Sequence, residues 1–208
     1  MVGRLFKLAL VLVGLFALPL LLIRAQPYDD SDLHALLNPP PDCPNPCFMG
    51  IRPGTTNIWD ALDVLHHHEW VARVGQYDFE QSKNLDGTIT IELNWEWSGA
   101  QPALIDSSRR GSAWILDDIV VSIEVATFLR LGDVRLGMGA PQQEQLYAIQ
   151  NARGSQYSHY TWYPQGSLQM IASHPCPVGE LNRMQVMVQW TAKPLQLPGA
   201  GSERRVCG

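Results

Sequence analysis

The stretch at 88–97 alternates without a break between polar and apolar side chains. Its apolar positions are Ile89, Ile91, Leu93, Trp95 and Trp97, and its polar positions are Thr88, Thr90, Glu92, Asn94 and Glu96. A period of two places the two sets on opposite faces, which is typical of an antiparallel strand with one face buried. Asp86-Gly87, directly before the stretch, predicts a hairpin turn. The chain is therefore expected to contain an antiparallel sheet with one apolar face.

The chain around this stretch carries the signals of a helix followed by short strands. Asn57 is a preferred N-cap residue, and Asp60 follows it three positions later. The apolar residues of 58–65 recur at helical spacing, so we expect a helix that ends near His66-His67-His68. Further strands are predicted at 113–116, 119–128, 145–149, 158–163, 167–172 and 184–190. The predicted class is α+β: an antiparallel sheet with short helices on one face.

Two four-residue segments indicate an internal repeat. Ile51-Arg52-Pro53-Gly54 recurs later in the chain as Leu129-Arg130-Leu131-Gly132. Each copy leads into a short helical stretch followed by strands, which is the pattern of a structural repeat. The order predicts a tandem of two helix-then-strands repeats, over about 47–128 and 129–208, within one domain at 47–208.

The segment at 1–25 is predicted to direct the chain to a membrane. Arg4 and Lys7 precede an uncharged apolar run at 8–23, and Arg24-Ala25 follows it. A basic start, an apolar run and a small boundary residue are typical of a secretory signal peptide. The run also approaches the roughly 20 residues that span a bilayer. The segment could therefore be cleaved as a signal peptide or retained as a membrane anchor, and both alternatives stay open. A buried core helix is the third interpretation. In the first two cases the basic end places the rest of the chain outside the cytoplasm.

Charge argues against nucleic acid as a partner. The chain has 15 basic and 20 acidic residues, and the segment at 1–25 contains three of the basic ones and no acid. The exported part then carries 12 basic and 20 acidic residues, a net charge of −8. Binding to phosphate backbones depends on basic patches, whereas Arg109-Arg110 and Arg204-Arg205 are typical of solvated loops. The Pro-rich segment at 26–46 is predicted to be an extended linker.

The four cysteines of the chain fit an oxidising compartment, where an even number usually means disulfides. They are Cys43, Cys47, Cys176 and Cys207. Three pairings stay open: a bridge between Cys43 and Cys47 needs a tight turn, and a link from either to Cys176 or Cys207 closes a loop that contains most of the domain. A zinc site is the other interpretation. Structural zinc sites favour two close pairs, and Cys176 and Cys207 lie far apart in the sequence, so disulfides are expected.

At the repeat segments the chain resembles the superfamily of the β-lactamase-inhibitor protein and the small outer-membrane assembly lipoproteins. The segment Ile51-Arg52-Pro53-Gly54-Thr55-Thr56 looks like the apolar-x-x-Gly-x-Thr turn that opens this superfamily's repeat, and 131–141 is similar to the variant that ends in Gly-x-Pro. The chain departs from the pattern because its first helix ends in histidines and it has no lipoprotein cysteine. The resemblance implies a non-enzymatic domain that uses a concave sheet against a protein.

The sequence carries no recognisable catalytic motif. Three consecutive imidazoles at 66–68 point about 100° apart on a helix, so at most two can face one metal ion, and cationic residues at a helix C-terminus are the simpler interpretation. Ser107-Ser108 and Ser155 lack the Gly-x-Ser-x-Gly context of a serine hydrolase. We therefore expect no catalytic residue, no metal and no cofactor. A hydrolase whose residues are spread along the chain is the enzymatic alternative.

An aromatic segment near the end of the domain is the candidate binding surface. If 157–163 is a strand, Tyr157 and Tyr163 lie on one of its faces, and Tyr160 and Trp162 lie on the other. One layer cannot bury all four rings, and large aromatics on a solvent-facing surface indicate a partner.

The sequence thus predicts an extracytoplasmic binding domain without a cofactor, secreted or anchored to the membrane by residues 5–23. Its expected partner is a protein of the cell envelope. A carbohydrate-binding envelope module is the alternative, because exposed aromatic rings also stack on sugars.

Overall fold

A computed structural model describes residues 13–18, 21, 31–37, 42–83, 89–151, 154–164, 167–175 and 180–193. The chain divides into two compact units, Met1–Ser31 and Asp32–Gly208. In the first unit, residues 13–18 are helical. No helix within the described ranges is long and apolar enough to cross a membrane. Most of the segment predicted as a signal or anchor lies outside the described residues, so that expectation stays a prediction.

Three helices and eight strands follow one another in the described part of the chain after residue 30. They are α1 (Ser31–Leu37), α2 (Ile58–His67), β1 (Val71–Lys83), β2 (Ile89–Trp97), β3 (Gly111–Leu116), β4 (Ile119–Arg130), α3 (Leu131–Met138), β5 (Gln143–Asn151), β6 (Gly154–Tyr163), β7 (Leu168–Pro175) and β8 (Gln185–Thr191). A short 3-10 helix, Leu181–Arg183, precedes β8.

All eight strands form one antiparallel sheet in the order β1-β2-β3-β4-β8-β7-β6-β5. Each half is a meander of four sequential strands, and the pairing of β4 with β8 joins the two halves at the centre. Short connections favour this arrangement because sequential antiparallel strands need only tight turns. The predicted α+β class, with an antiparallel sheet and short helices, is confirmed.

Helix α2 begins at the predicted cap. The side-chain oxygen of Asn57 accepts hydrogen bonds from the backbone N–H groups of Trp59 and Asp60, each at 2.9 Å. The Asn57 amide nitrogen also donates to the Asp60 carboxylate at 2.7 Å. The buried residues of the helix are Ile58, Ala61 and Leu65. Its apolar stripe therefore faces the core, as the helical spacing predicts.

Strand β2 shows the predicted alternation most directly. Leu93 and Trp95 are fully buried, and Gly111 on β3 lies opposite Trp95. A Cβ atom at Gly111 would overlap the Trp95 indole. The glycine is therefore part of the core, because it leaves the volume that the tryptophan ring fills.

The hairpin between β3 and β4 turns at the predicted Asp117-Asp118 pair. Both residues have positive φ, 50° and 62°, as the central residues of a two-residue type I′ turn require. The carbonyl of Asp118 accepts a hydrogen bond of 2.9 Å from the backbone N–H of Ile58. The turn is thus tied to the first residue of α2.

The predicted linker at 26–46 contains a helix. Helix α1 lies in its middle, and Leu33, Leu36 and Leu37 belong to the hydrophobic core. Leu33 lies against Gly137 of α3, where a Cβ atom would overlap the leucine side chain. The expectation of an extended linker therefore does not hold for residues 31–37, because three leucines at helical spacing bury themselves against the domain.

The order of elements is the same in both halves: α2 precedes β1–β4, and α3 precedes β5–β8. The two segments matched in the sequence nevertheless occupy different places. Ile51 forms a bridge with Phe48, well before the Asn57 cap, whereas Leu129 lies in β4, directly before the cap of α3. An alignment that places Ile51 on Leu129 therefore does not place the first residue of α2 on the first residue of α3.

Candidate binding face

The sheet has two faces of different chemistry. Alternate residues of its strands, such as Leu93, Ile123, Val188 and Met170, join α1, α2 and α3 in one hydrophobic cluster, and we call this side the core face. The residues between them form the open face. Near the centre of the sheet the open face contains Glu92, Asn94, Ser112, Trp114, Ser122, Glu124, Met187, Gln189, Gln169, Ile171, Tyr160 and Trp162.

A carboxyl group with neutral hydrogen-bond donors lies at the centre of the open face. Glu124 on β4 is directly opposite Gln189 on β8, and the Gln189 amide nitrogen donates to the Glu124 carboxylate at 2.8 Å. The side chain of Trp114 is close enough to the same carboxyl group to lower its pKa. Gln189 is 4% exposed, and its amide oxygen has no hydrogen-bond partner among the described residues.

The surroundings of Glu124 favour its neutral form. Burial raises the pKa of the Glu124 carboxyl above its usual range, and the nearby Glu92 carboxylate acts in the same direction. The hydrogen bonds from Trp114 and Gln189 oppose this shift without cancelling it. A buried carboxylate is normally stabilised by a cation or by several donors, and no cation among the described residues contributes to the pKa of Glu124.

Two tyrosines lie on the same face toward the β5 edge of the sheet, Tyr160 on β6 and Tyr147 on β5. Burial raises the pKa of the Tyr160 hydroxyl, and the Glu124 and Tyr147 side chains add to the shift. The Tyr147 and Tyr160 rings meet edge to face, with centroids 5.4 Å apart. The Tyr147 hydroxyl donates to the Gln145 side chain at 2.8 Å. The open face therefore combines aromatic surface, amide groups and a carboxyl group, which is suited to binding a polar ligand.

A pocket of about 380 Å³ opens next to Glu124. Its lining residues are Glu92, Asn94, Arg109, Arg110, Ser112, Glu124, Ala126 and Met187. Arg110 donates to the Glu96 carboxylate at 3.1 Å, and Arg73 donates to the same oxygen at 2.7 Å. The guanidinium of Arg110 is thus partly neutralised by Glu96, which lies beyond the pocket lining.

The structure separates the four aromatic residues predicted to bind. As expected, Tyr157 and Tyr163 share one face with His159, and Tyr160 and Trp162 share the other. Tyr163 is 1% exposed and belongs to the core, and Trp162 on the open face is 8% exposed. Tyr157 and Tyr160 are each half-buried. Tyr160 is half-buried on the open face, and the Glu124 carboxyl group, three strands away, acts on its pKa.

The cysteine pairing is resolved for one bridge. Cys43 and Cys47 form a disulfide with their Cα atoms 6.0 Å apart. Cys176 and Cys207 lie outside the described residues, so their pairing stays a prediction. The bridge at Cys43–Cys47 fits the predicted oxidising compartment.

The histidines are held by local contacts. The His67 ring lies 2.8 Å from the Asp63 carbonyl, and the His68 ring accepts from the Trp70 backbone N–H at 3.2 Å. Within the described ranges, no group of three or more His, Cys, Asp or Glu side chains could hold a metal ion.

A second polar cluster lies on the core face beside α3. The Nε2 atom of buried His159 is 3.2 Å from the Glu144 carboxylate, and Arg135 donates to the other Glu144 oxygen at 3.0 Å. Burial lowers the pKa of His159, and Glu144 partly opposes this. Arg135 also donates to Asn182 at 3.2 Å. These contacts tie α3 to β5, β6 and the 3-10 helix, so the cluster is structural.

Sequence reasoning missed the centre of the open face. Glu92 and Asn94 belong to the predicted polar face of β2, but Glu124 and Gln189 carry no motif that assigns them a role. The available signal is the alternation around Ser122 and Glu124, which puts two polar residues on one face of an otherwise apolar strand.

No protein-family model, curated protein or solved structure matches this chain. The geometry of the open face is therefore the main indication of function.

Proposed function

We propose that the chain is an extracytoplasmic, membrane-attached, non-enzymatic binding domain whose open face contacts another protein of the cell envelope. The observation that carries the proposal is the group formed by Trp114, Glu124 and Tyr160. These side chains are half-buried on β3, β4 and β6, and they lie on the face opposite to the one that contacts α1, α2 and α3. Such a combination of rings and a desolvated polar group is typical of the centre of an interface.

The size of the face supports a protein partner. Eight strands at about 4.8 Å spacing span roughly 34 Å, and six residues of strand add roughly 20 Å in the other direction. The product, about 700 Å², is close to the roughly 800 Å² that one partner buries in a stable complex. A small ligand would use only the pocket beside Glu124.

The repeated order of elements supports the same proposal. We take α2 with β1–β4 and α3 with β5–β8 as two repeats, as the resemblance to the superfamily of the β-lactamase-inhibitor protein implies. That resemblance also implies binding through the sheet. The membrane attachment rests on the apolar run at 8–23, and the extracytoplasmic location is also supported by the disulfide at Cys43–Cys47.

Site-specific photo-crosslinking in envelope preparations tests the proposal. A photoreactive residue at Met187 on the open face is expected to capture a protein, whereas the same residue at Leu136 of α3 serves as the control, because Leu136 is 73% exposed and lies on a helix of the opposite face. Tyr160→Ala is expected to reduce the crosslink from Met187. Capture from Leu136 but not from Met187 would show that binding occurs elsewhere.

A carbohydrate is the second candidate because the open face also combines rings with amide and carboxyl groups. Trp114 and Tyr160 could stack on sugar rings, while Asn94 and Gln189 supply polar contacts. Glycan-array binding that is lost in Tyr160→Ala, together with no protein crosslink from Met187, would favour this candidate over a protein partner.

A further inference from the structure

We infer that the pocket beside Glu124 holds a basic side chain, lysine or arginine, of the protein partner. The inference rests on the proposed function and specifies its central contact. The pocket volume of about 380 Å³ is ample for one such side chain, and its lining includes two carboxyl groups, Glu92 and Glu124.

Charge decides between a basic and an acidic ligand. The described hydrogen bond to Glu124 comes from the neutral amide of Gln189. Of the two guanidinium groups in the lining, Arg110 already contacts Glu96 at 3.1 Å, and Arg109 is exposed to solvent. The pocket thus offers a half-buried carboxyl group whose described hydrogen-bond donor is neutral. A ligand that brings a positive charge satisfies this arrangement better than one that brings a negative charge.

The amide of Gln189, which lies against Glu124 and outside the pocket lining, is a second indication. Its nitrogen is fixed by the 2.8 Å bond to Glu124, so its oxygen is the acceptor left over. That oxygen is buried and has no hydrogen-bond partner in the described part of the chain. Buried acceptors are normally satisfied. An ammonium or guanidinium group carries several N–H donors, and it could supply both Glu124 and this oxygen.

Aromatic surface beside the carboxyl group fits the same ligand. The indole of Trp114 is close enough to Glu124 to lower its pKa, and the Tyr160 pKa responds to the Glu124 carboxylate. Cations bind favourably over the faces of Trp and Tyr rings. A basic side chain at Glu124 would therefore meet a counter-ion on a face of the sheet that also carries aromatic rings.

Titration of the full-length protein with small probes tests the inference. The probes are the acetylated N-methylamides of arginine, lysine, norleucine and glutamate, and the readout is the NMR signal of the Trp114 indole N–H. We expect the arginine or lysine probe to shift this signal saturably, and the norleucine and glutamate probes to bind at least tenfold more weakly. Equal binding of norleucine, or tighter binding of glutamate, overturns the inference.

Two variants localise the effect. Glu124→Gln keeps the shape of the side chain and is expected to weaken binding of the basic probes at least tenfold. Glu180→Gln is the matched control and should leave this binding unchanged, since Glu180 is exposed and paired with Arg183. Thermal melts confirm that each variant is folded. Unchanged binding by Glu124→Gln contradicts the inference.

The outcomes also separate this inference from the proposed function. Crosslinking from Met187 without binding of basic probes retains the protein-binding face and rejects the basic pocket. Binding of basic probes without any protein crosslink retains the pocket and rejects the envelope protein as the partner.

The pH dependence of probe binding supplies a further check. The charged or titratable groups around the pocket are Glu92 on β2, Arg109 and Arg110 before β3, and Tyr160 on β6. A cation binds the ionised form of Glu124, so affinity is expected to rise with pH through the pKa of Glu124 and to lose this dependence in Glu124→Gln. A pH profile that is the same in both proteins contradicts a contact at Glu124.

Discussion

Both faces of the sheet contain buried side chains, but the two sets differ in character. On the core face, Leu93, Ile123 and Val188 lie in a hydrophobic cluster with the helices. On the open face of the same strands, Ser112 and Gln189 are 8% and 4% exposed. Burial therefore does not by itself distinguish the structural face from the face proposed to bind. The distinction lies in whether the buried groups are apolar or need hydrogen-bond partners.

This difference has a consequence for substitutions. Removal of a core-face side chain leaves a cavity, so its cost appears in the free energy of unfolding. Removal of an open-face polar side chain also removes a group that is costly to desolvate, so its cost in stability is small where no buried partner loses a hydrogen bond, and its effect appears in binding. The following predictions separate the two faces by these effects.

The largest effect is expected for the tryptophans. Trp95→Ala on the core face should lower the free energy of unfolding by about 3–5 kcal/mol, because the ring is fully buried. Trp162→Ala on the open face, where the ring is 8% exposed, should lie at the lower end of that range. Trp59 is 74% exposed on α2, and Trp59→Ala is the control, expected within about 0.5 kcal/mol. Urea denaturation measures all three. A small loss for Trp95→Ala would contradict the assignment of the core face.

The Cys43–Cys47 disulfide is expected to contribute less to the free energy of unfolding than a bridge that closes a long loop would. Cys43 and Cys47 close a loop of five residues, for which the chain-entropy relation gives roughly 2 kcal/mol. The double variant Cys43→Ser/Cys47→Ser should lose about this amount in urea denaturation. A count of free thiols in the denatured, unreduced protein gives zero if Cys176 and Cys207 are also paired, and two if they are not. Four free thiols would contradict both bridges.

Local patterns predicted the parts of the fold that depend on near neighbours in the chain. The cap at Asn57, the alternation of β2 and the Asp117-Asp118 turn are each determined by a few adjacent residues, and each is confirmed. Strand β1 was missed because its sequence includes Gly75 and its register with β2 shifts twice. Helix α1 was missed because prolines and aspartates flank its three leucines.

The candidate site could be predicted only in part, because it depends on strand order. Tyr160 was identified from its own strand, β6. Glu124, which acts on the pKa of Tyr160, is on β4, and β8 and β7 lie between these two strands in the sheet. Glu124 and Gln189 are 65 residues apart in the sequence. Only the pairing of β4 with β8 brings them together, and no local pattern specifies that pairing.

A smaller stability effect is expected at Tyr160, with a larger effect on binding. Tyr160→Ala should cost about 1 kcal/mol in unfolding, since the ring is half-buried, and should weaken capture of the partner by more than about 1 kcal/mol. Tyr157→Ala is the matched control, because Tyr157 is also half-buried on β6 but lies on the core face. Equal losses of binding in the two variants would show that the faces do not differ in function.

The smallest expected effect is the pH dependence of stability at Glu124, and its sign separates two carboxyl groups on the same face. The folded-state pKa of Glu124 is raised mainly by burial. Its stabilising contribution is therefore present below the unfolded pKa and is lost as pH rises through the folded pKa. At neutral pH, Glu124→Gln should be as stable as the unsubstituted protein or more stable by up to about 1 kcal/mol.

Glu96 on β2, which β3 separates from β4, provides the opposite sign. Hydrogen bonding to Arg73 is the main cause that lowers its pKa, and Arg110 adds to the shift. Its contribution is present above the unfolded pKa and is lost as pH falls through the folded pKa. The stability difference between the unsubstituted protein and each Gln variant, measured by urea denaturation across the acidic range, should thus fall with rising pH for Glu124→Gln and rise for Glu96→Gln. The same sign in both would mean that Glu124 is as well compensated as Glu96, and the argument for a basic ligand at Glu124 would lose its electrostatic basis.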